Sequence, residues 1–469
     1  MSSALRRVVV PFAVLPLLAA LSAFGQANPP AVTAFVDVNV VPMDTERVLA
    51  HQTVLVVDGK IANMGPRVDV PPNARTIDGH GTAYLAPGLA DMHTHAHTQR
   101  DMAMFLANGV TTILDMGNAP SDFIAQVRPA VEEGSVPGPR IYAGFLLDGR
   151  PRYGNFAVTT PEDARAAVRI AKENGYEFIK VYTELSPACF DAIVDEARRQ
   201  HMPVVGHGVT SVGLKKQMAA GQLLVAHTEE FFYTVFSQPP AGQTNRPPPV
   251  EEIPRVIETI RKSGAYVTAD LNTYATIARQ WGRPDVVTGF LKTPESRYVS
   301  PGDRLSWRFD GYEKRTGSLD GRVVFLARFT KALADAGIPL VAGTDAPAIP
   351  GLVSGFALHD DLQALSRAGL TPYQVLVTAT RTPGRMIAEH VPGVVPFGVI
   401  AVGNRADLVL VRGNPLDGLA TLKEPLGVMA NGRWYDGTEL ARLREMVVAD
   451  YARVEWGGGE GKKSLRDFP

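Results

Sequence analysis

"DMHTHAHTQR", residues 91–100, sets three of the chain's ten histidines on alternate positions. On an extended strand, alternate side chains share one face. His93, His95 and His97 would then project together. That spacing alone suits either a metal site or a histidine-rich turn. The two are separated by whether other ligand-type residues stand at the ends of other strands.

Outward from this stretch, short apolar runs alternate with amphipathic ones. The apparent strands are "GLADMHTH", "GVTTILDMG", "RIYAGFLLDG", "YEFIKVYTEL", "MPVVGHGV", "LLVAHTEEF", "GAYVTADLNTY" and "IPLVAGTDAP". Between them lie helical patterns. "PEDARAAVRIAKENGY" opens on Pro161 and acidic residues, repeats apolar residues at i, i+3, i+4, and ends at Gly175. Eight strands with intervening helices predict an α/β fold, a (β/α)8 TIM barrel over residues 87–390. Residues 28–86 and 391–445 are β-rich instead, with Asp58–Gly59 as a hairpin turn. They are expected to pair into a small β-sandwich domain built from both chain ends. Residues 446–469 read as a C-terminal tail.

Composition narrows the function. Lys and Arg number 47 against 48 Asp and Glu, a formal charge of −1, which makes no electrostatic case for nucleic acid. Cys189 is the sole cysteine, which excludes an internal disulfide and a cysteine-based zinc site. Arg6 and Arg7 precede an apolar run through Gly25 that contains Pro11 and Pro16. Such a run suits a signal peptide over residues 1–27 or a membrane anchor. Its shortness and two prolines favour the signal peptide, with cleavage after Gly25 or Ala27 and export to a periplasm or the medium. No stable membrane association is expected after cleavage. A homo-oligomer is compatible with the sequence.

Chemistry then collects at strand ends. His93 and His95 close the first strand, Lys180 the fourth, His207 the fifth, His227 the sixth and Asp345 the eighth. In a parallel barrel these ends meet at one mouth, where active sites sit in this fold. His93 and His95 therefore read as ligands, and His97 as a neighbouring or loop residue. His51, His80, His201, His359 and His390 lie off the strand ends and read as structural. Lys180, inside "FIKVY", either turns outward or points an amine into an apolar barrel. Burial would depress its pKa. The neutral amine could then add carbon dioxide, giving a carbamate able to bridge two metals. Two long connections, residues 237–249 and 282–318, fall on the catalytic face and are expected to cap the site.

"PGLADMHTH", "AGTDAP", "GNRADLVLVRGNPLDG" and "VMANGRWYDG" together resemble the metal-dependent amidohydrolase superfamily. Lysine inside "FIKVY" is similar to the imidazolonepropionase-like branch, which includes Xaa-Pro dipeptidases. The resemblance implies two divalent ions, zinc being the expected metal. His93, His95 and Asp345 would bind the more buried ion, His207 and His227 the more exposed one, with carboxylated Lys180 between them. It also implies hydrolysis of a C–N amide bond, in an N-acyl amino acid or a dipeptide such as Xaa-Pro. The attacking group would be a metal-bridging hydroxide, with Asp345 as proton shuttle. Tyr182, Arg150 and Arg152 are candidate substrate contacts. The alternatives are a mononuclear cyclic amidine or lactam hydrolase or deaminase with Lys180 unmodified, and a non-catalytic binding protein on the same scaffold.

Overall fold

In the computed structural model, which describes residues 31–151, 156–240, 243 and 245–455, eight parallel strands succeed one another in sequence order around a barrel. They are Leu89–Thr94, Val110–Asp115, Arg140–Asp148, Phe178–Val181, Val204–Gly206, Gln222–Val225, Tyr266–Thr268 and Leu340–Val341. All eight predicted strands are present. Nearly every residue in them is buried, as expected when helices cover the outer face of a parallel barrel and its own side chains fill the inside. The last strand joins the first through main-chain bonds. Met92 N donates to Ala342 O at 2.9 Å, Thr344 N to His93 O at 3.1 Å, and His95 N to Ala346 O at 2.9 Å.

The helices form for local reasons that the sequence carries. Pro161–Glu173 has Pro161 in its first turn and is capped by the Thr160 side chain, which accepts from Asp163 N. It buries Ala164, Ala167, Val168 and Ala171, the inward stripe of a 3.6-residue repeat. Ile253–Ser263 buries Ile253, Val256, Ile257 and Ile260 and stops at Gly264, whose φ of 71° is the left-handed helix end that glycine favours.

The two chain ends do form one β unit. It is one continuous mixed sheet, however, rather than two separate sheets. Strand Tyr84–Pro87 pairs antiparallel with Leu408–Val411, which joins the N-terminal strands to the C-terminal ones. Two hairpin turns, Asp58–Gly59 and Asn431–Gly432, carry positive φ at both positions, as a two-residue primed turn requires. The turns abut. A Cβ on Gly59 would stand 3.2 Å from Gly432 Cα, so the sheet rolls until its two edge hairpins touch. Inside the roll, Trp434 packs edge-on against Phe35 with ring centroids 5.1 Å apart.

The C-terminal tail begins later than residue 446. Helix Gly437–Glu455 continues past that point and buries Leu440, Leu443, Val447 and Tyr451. This apolar stripe docks on the first barrel helix, Gln99–Ala107. The glycine-rich stretch beyond drew the sequence boundary too early. Residues 1–27 lie outside the described residues. No described helix is long and apolar enough to cross a membrane.

Trp434→Ala should destabilise the β unit by about 3–5 kcal/mol, the usual cost of emptying a buried tryptophan site. The exposed Phe309, at 74 % accessibility, serves as the control. Thermal unfolding should show a marked fall in Tm for Trp434→Ala and almost none for Phe309→Ala. Equal effects would contradict this packing.

Candidate metal centre

Each side chain of the centre leaves the C-terminal end of a barrel strand. His93 and His95 alternate along the first strand, so both face the barrel mouth. Lys180 is the third residue of the fourth strand and is wholly buried. His207 and His227 follow the fifth and sixth strands. Asp345 follows the eighth, at a φ of 60°. That left-handed conformation is uncommon for a residue with a Cβ. It is held by Asp345 N donating to His93 O at 2.7 Å.

Two glycines make room for the assembly. A Cβ at Gly206, whose φ is 128°, would come within 2.3 Å of Val181 O and 3.2 Å of the Lys180 stem. A Cβ at Gly343 would come within 2.8 Å of His93 Cβ. Any side chain at either position would displace a member of the cluster.

The six predicted groups converge. His95 Nε2 lies 3.2 Å and His93 Nε2 3.5 Å from Asp345 Oδ1. Lys180 Nζ lies 3.5 Å from His93 Nε2. The His93 and His227 rings stack at 4.3 Å, and the His207 ring stands 4.9 Å from that of His227. Donor atoms of His93, His95 and Asp345 fall within 4.8 Å of one another, as do those of His93, His207 and His227. Either group could hold a metal ion.

The outer nitrogen of every ring is already engaged. Nδ1 of His93 meets Ala226 O at 3.1 Å, and that of His95 meets Gly117 O at 3.0 Å. Nδ1 of His207 bonds Glu230, and that of His227 bonds Asp270. An acceptor at Nδ1 places the ring proton there in the neutral ring and so directs the Nε2 lone pair at the centre; His227, which its acids hold protonated, would present that lone pair once an ion displaced its second proton. Four such lone pairs with a carboxylate are a donor set suited to a borderline divalent ion.

Burial sets the electrostatics. It drives His93 well below the usual imidazole range and His207 down to about 4, helped by the nearby Lys180 charge. It also lowers Lys180 to about 8 against the pull of Asp345 and Glu230. His227 goes the other way. Burial lowers it, but the carboxylates of Asp270 and Glu229 outweigh burial and hold it at about 10. Burial would raise Asp345, yet its bond to His95 and the surrounding cations bring it to about 2, so it is ionised at neutral pH.

The remaining predicted residues fall elsewhere. His97 Nε2 meets Asp115 at 2.7 Å and its ring packs on Phe123. Tyr182 packs on His207 with centroids 4.3 Å apart. Arg150 is largely exposed and pairs with Glu184 at 3.1 Å, not with a member of the cluster. Arg152 lies outside the described residues. The 282–318 connection reaches the catalytic face through Trp307, whose Nε1 donates to Pro347 O at 2.9 Å beside the Asp345 turn. Glu230 and Asp270 were missed by sequence reasoning. Asp270 stands two residues past the seventh strand in "VTADLN", one of three strand ends from which no ligand was taken. Glu230 follows His227 in "AHTEEF", where a second acid beside a ligand was a usable signal.

Glu230→Gln and Asp270→Asn keep size but lose the charge that orients a ring. Each should weaken metal retention about 10- to 100-fold in a chelator titration. Unchanged retention in both would remove these acids from the centre.

Comparison with known proteins places the geometry. The pattern described as the amidohydrolase family matches residues 84–435. Ochratoxinase from Aspergillus niger is 21 % identical, over 83 % of this chain and 82 % of its own length. Among solved structures, bottromycin amidohydrolase superposes with a TM-score of 0.68 at 24 % identity, covering 90 % of this chain and 91 % of its own. A Xaa-Pro dipeptidase with methionine bound in its active site superposes at 0.61 and 18 % identity, covering 87 % of this chain and 100 % of its own.

Proposed function

We propose that this chain, which belongs to the amidohydrolase family and is a hydrolase of carbon–nitrogen bonds, cleaves the amide of an N-acyl amino acid or of a dipeptide such as Xaa-Pro. The convergence of four imidazole Nε2 atoms, Lys180 and Asp345 at the barrel mouth carries the proposal. The dipeptidase and ochratoxinase likenesses support the choice of substrate class.

His93, His95 and Asp345 would hold one divalent ion and His207 with His227 a second, zinc being the ion best matched to imidazole donors. Lys180 is the residue to bridge them. Its amine is buried, its pKa is pulled to about 8, and a neutral fraction is therefore available to take up carbon dioxide as a carbamate. Ions at those positions would supply an acidified water and a polarised carbonyl.

The protein's own groups then move the protons. Asp345 is ionised and lies against His95 and His93, so it can accept the proton of the attacking water. It returns that proton to the leaving nitrogen as the C–N bond breaks. Tyr182, on the same strand face as Lys180, is assigned to hydrogen-bond the carbonyl or carboxylate oxygen of the substrate. The Trp307 connection shields the mouth from water on the Asp345 side. Residues 1–27 are assigned as an export signal, which places the enzyme in the periplasm or outside the cell.

Elemental analysis of the active protein should find two divalent ions per chain. Lys180→Ala should lose one ion and most activity, and a short carboxylate added with metal should restore part of both. A single ion in fully active protein, or full activity in Lys180→Ala without additive, would defeat the bridged two-metal assignment.

Asp345→Asn keeps volume and packing but cannot carry a proton. Turnover on an N-acyl amino acid or dipeptide should fall roughly 10²–10⁴-fold, the scale of a positioned acid–base group. Metal content should fall less than in His93→Ala. Near-normal turnover in metal-replete Asp345→Asn would take this residue out of the proton path.

A further inference from the structure

At the other end of the barrel, the strands' N-terminal ends and the two abutting hairpins enclose a cavity of about 520 Å³. Arg140, the first residue of the third barrel strand, lines it from below. Lys60, from the Asp58–Gly59 hairpin, lines it from the sheet. Arg405 lies between them, its backbone bridged to that of Lys60.

The lining is net positive, with Lys60, Arg140 and Arg405 set against Asp58 and Glu177. Asp58 accepts from the main-chain nitrogen of Ala31 at 3.1 Å. Glu177 is bound by Arg128 and by Ala143 N. Arg405 is spent on Asp407, on Tyr142 Oη at 3.3 Å and on Thr112 Oγ1 at 2.7 Å. Arg140 and Lys60 are the two cations of the lining that no acid engages directly. Neither side chain has a hydrogen bond or ion pair among the described residues, and Arg140 Nε is buried without an acceptor. A buried guanidinium donor with no partner is costly, and its fork matches the oxygens of a carboxylate or phosphate.

We propose that this cavity is a binding site for a small oxyanion-bearing ligand, a phosphate or carboxylate compound, held by Arg140 and Lys60. It is separate from the metal centre, since the metal-binding groups all stand at the opposite strand ends. A ligand here clamps the barrel to the rolled sheet, because Arg140 belongs to one and Lys60 to the other.

The test uses the full, metal-loaded chain, with inorganic phosphate and succinate as separate probes and sodium chloride at matched ionic strength as control. The bound anion should raise Tm saturably by about 2 °C or more. A response to phosphate identifies a phosphorylated ligand, and a response to succinate a carboxylate. Lys60→Gln, at an exposed position that folding tolerates, and Arg140→Gln should each weaken binding at least tenfold, the value of one charge-assisted contact. Their metal content and amide hydrolysis should stay at the wild-type level. No saturable shift with either probe overturns the proposal. A shift that persists in the Lys60→Gln/Arg140→Gln variant also overturns it, because the anion is then bound at the metal centre instead.

Discussion

Four main-chain hydrogen bonds between the first strand and the eighth strand with its following turn govern the rest of this molecule. They run from Met92 to Ala342, from Thr344 and from Asp345 to His93, and from His95 to Ala346. The residues they join are some 250 positions apart in the chain, and three of the bonds use the backbone of a histidine in the centre. Barrel closure and site assembly are therefore one event. The turn after the eighth strand folds back on His93 O, and this is what sets Asp345 in its left-handed conformation against His95 and His93. A sheet left open at this seam would keep a core but would separate the carboxylate from the first-strand histidines.

The second requirement is electrostatic. Four imidazoles and an amine crowd a region with almost no solvent, and their positive forms repel. The structure resolves this from outside inward. Two main-chain carbonyls and two carboxylates, Glu230 and Asp270, accept the Nδ1 protons, which turns all four Nε2 atoms toward the centre. The asymmetry between His207 at about 4 and His227 at about 10 follows from the acids around each, since Glu229 and Asp270 both bear on His227. Lys180 has no such outer partner. Among the described residues its one hydrogen-bonding neighbour is His93 Nε2, so the buried amine is held by the cluster alone.

The rolled sheet gives the barrel its floor. Its strands come from both chain ends and are joined in one ladder by the pairing of Tyr84–Pro87 with Leu408–Val411, immediately before the first barrel strand begins. That contact ties the start of the chain to its end around the barrel. The cavity with Arg140 and Lys60 lies at this junction, so an anion bound there acts on the assembly of the two units and leaves the catalytic mouth untouched.

Much of this was present in the order of residues. Strand and helix periods follow from side-chain alternation, which is a local property, so all eight barrel strands and the Asp58–Gly59 hairpin could be read directly. The six groups of the centre could be read too, because a parallel barrel turns "end of a strand" into "same place". The amidohydrolase resemblance of "PGLADMHTH" and "AGTDAP" depended on the same short-range patterns. What the residues did not reveal depended on distant contacts. Asp270 and Glu230 look like ordinary loop acids until the folded chain sets them against His227 and His207. The helix beyond residue 446 gains its reason to exist only by docking on Gln99–Ala107. The sheet's single rolled form depends on two turns, Gly59 and Gly432, meeting from opposite ends of the chain. The unpartnered guanidinium nitrogen of Arg140 exists only once the chain has folded and Glu177 has been taken by Arg128 and Ala143 N. Sequence determines which groups a strand or turn presents; which groups satisfy one another is decided by tertiary proximity, because hydrogen bonds and burial act over ångströms and not along the chain.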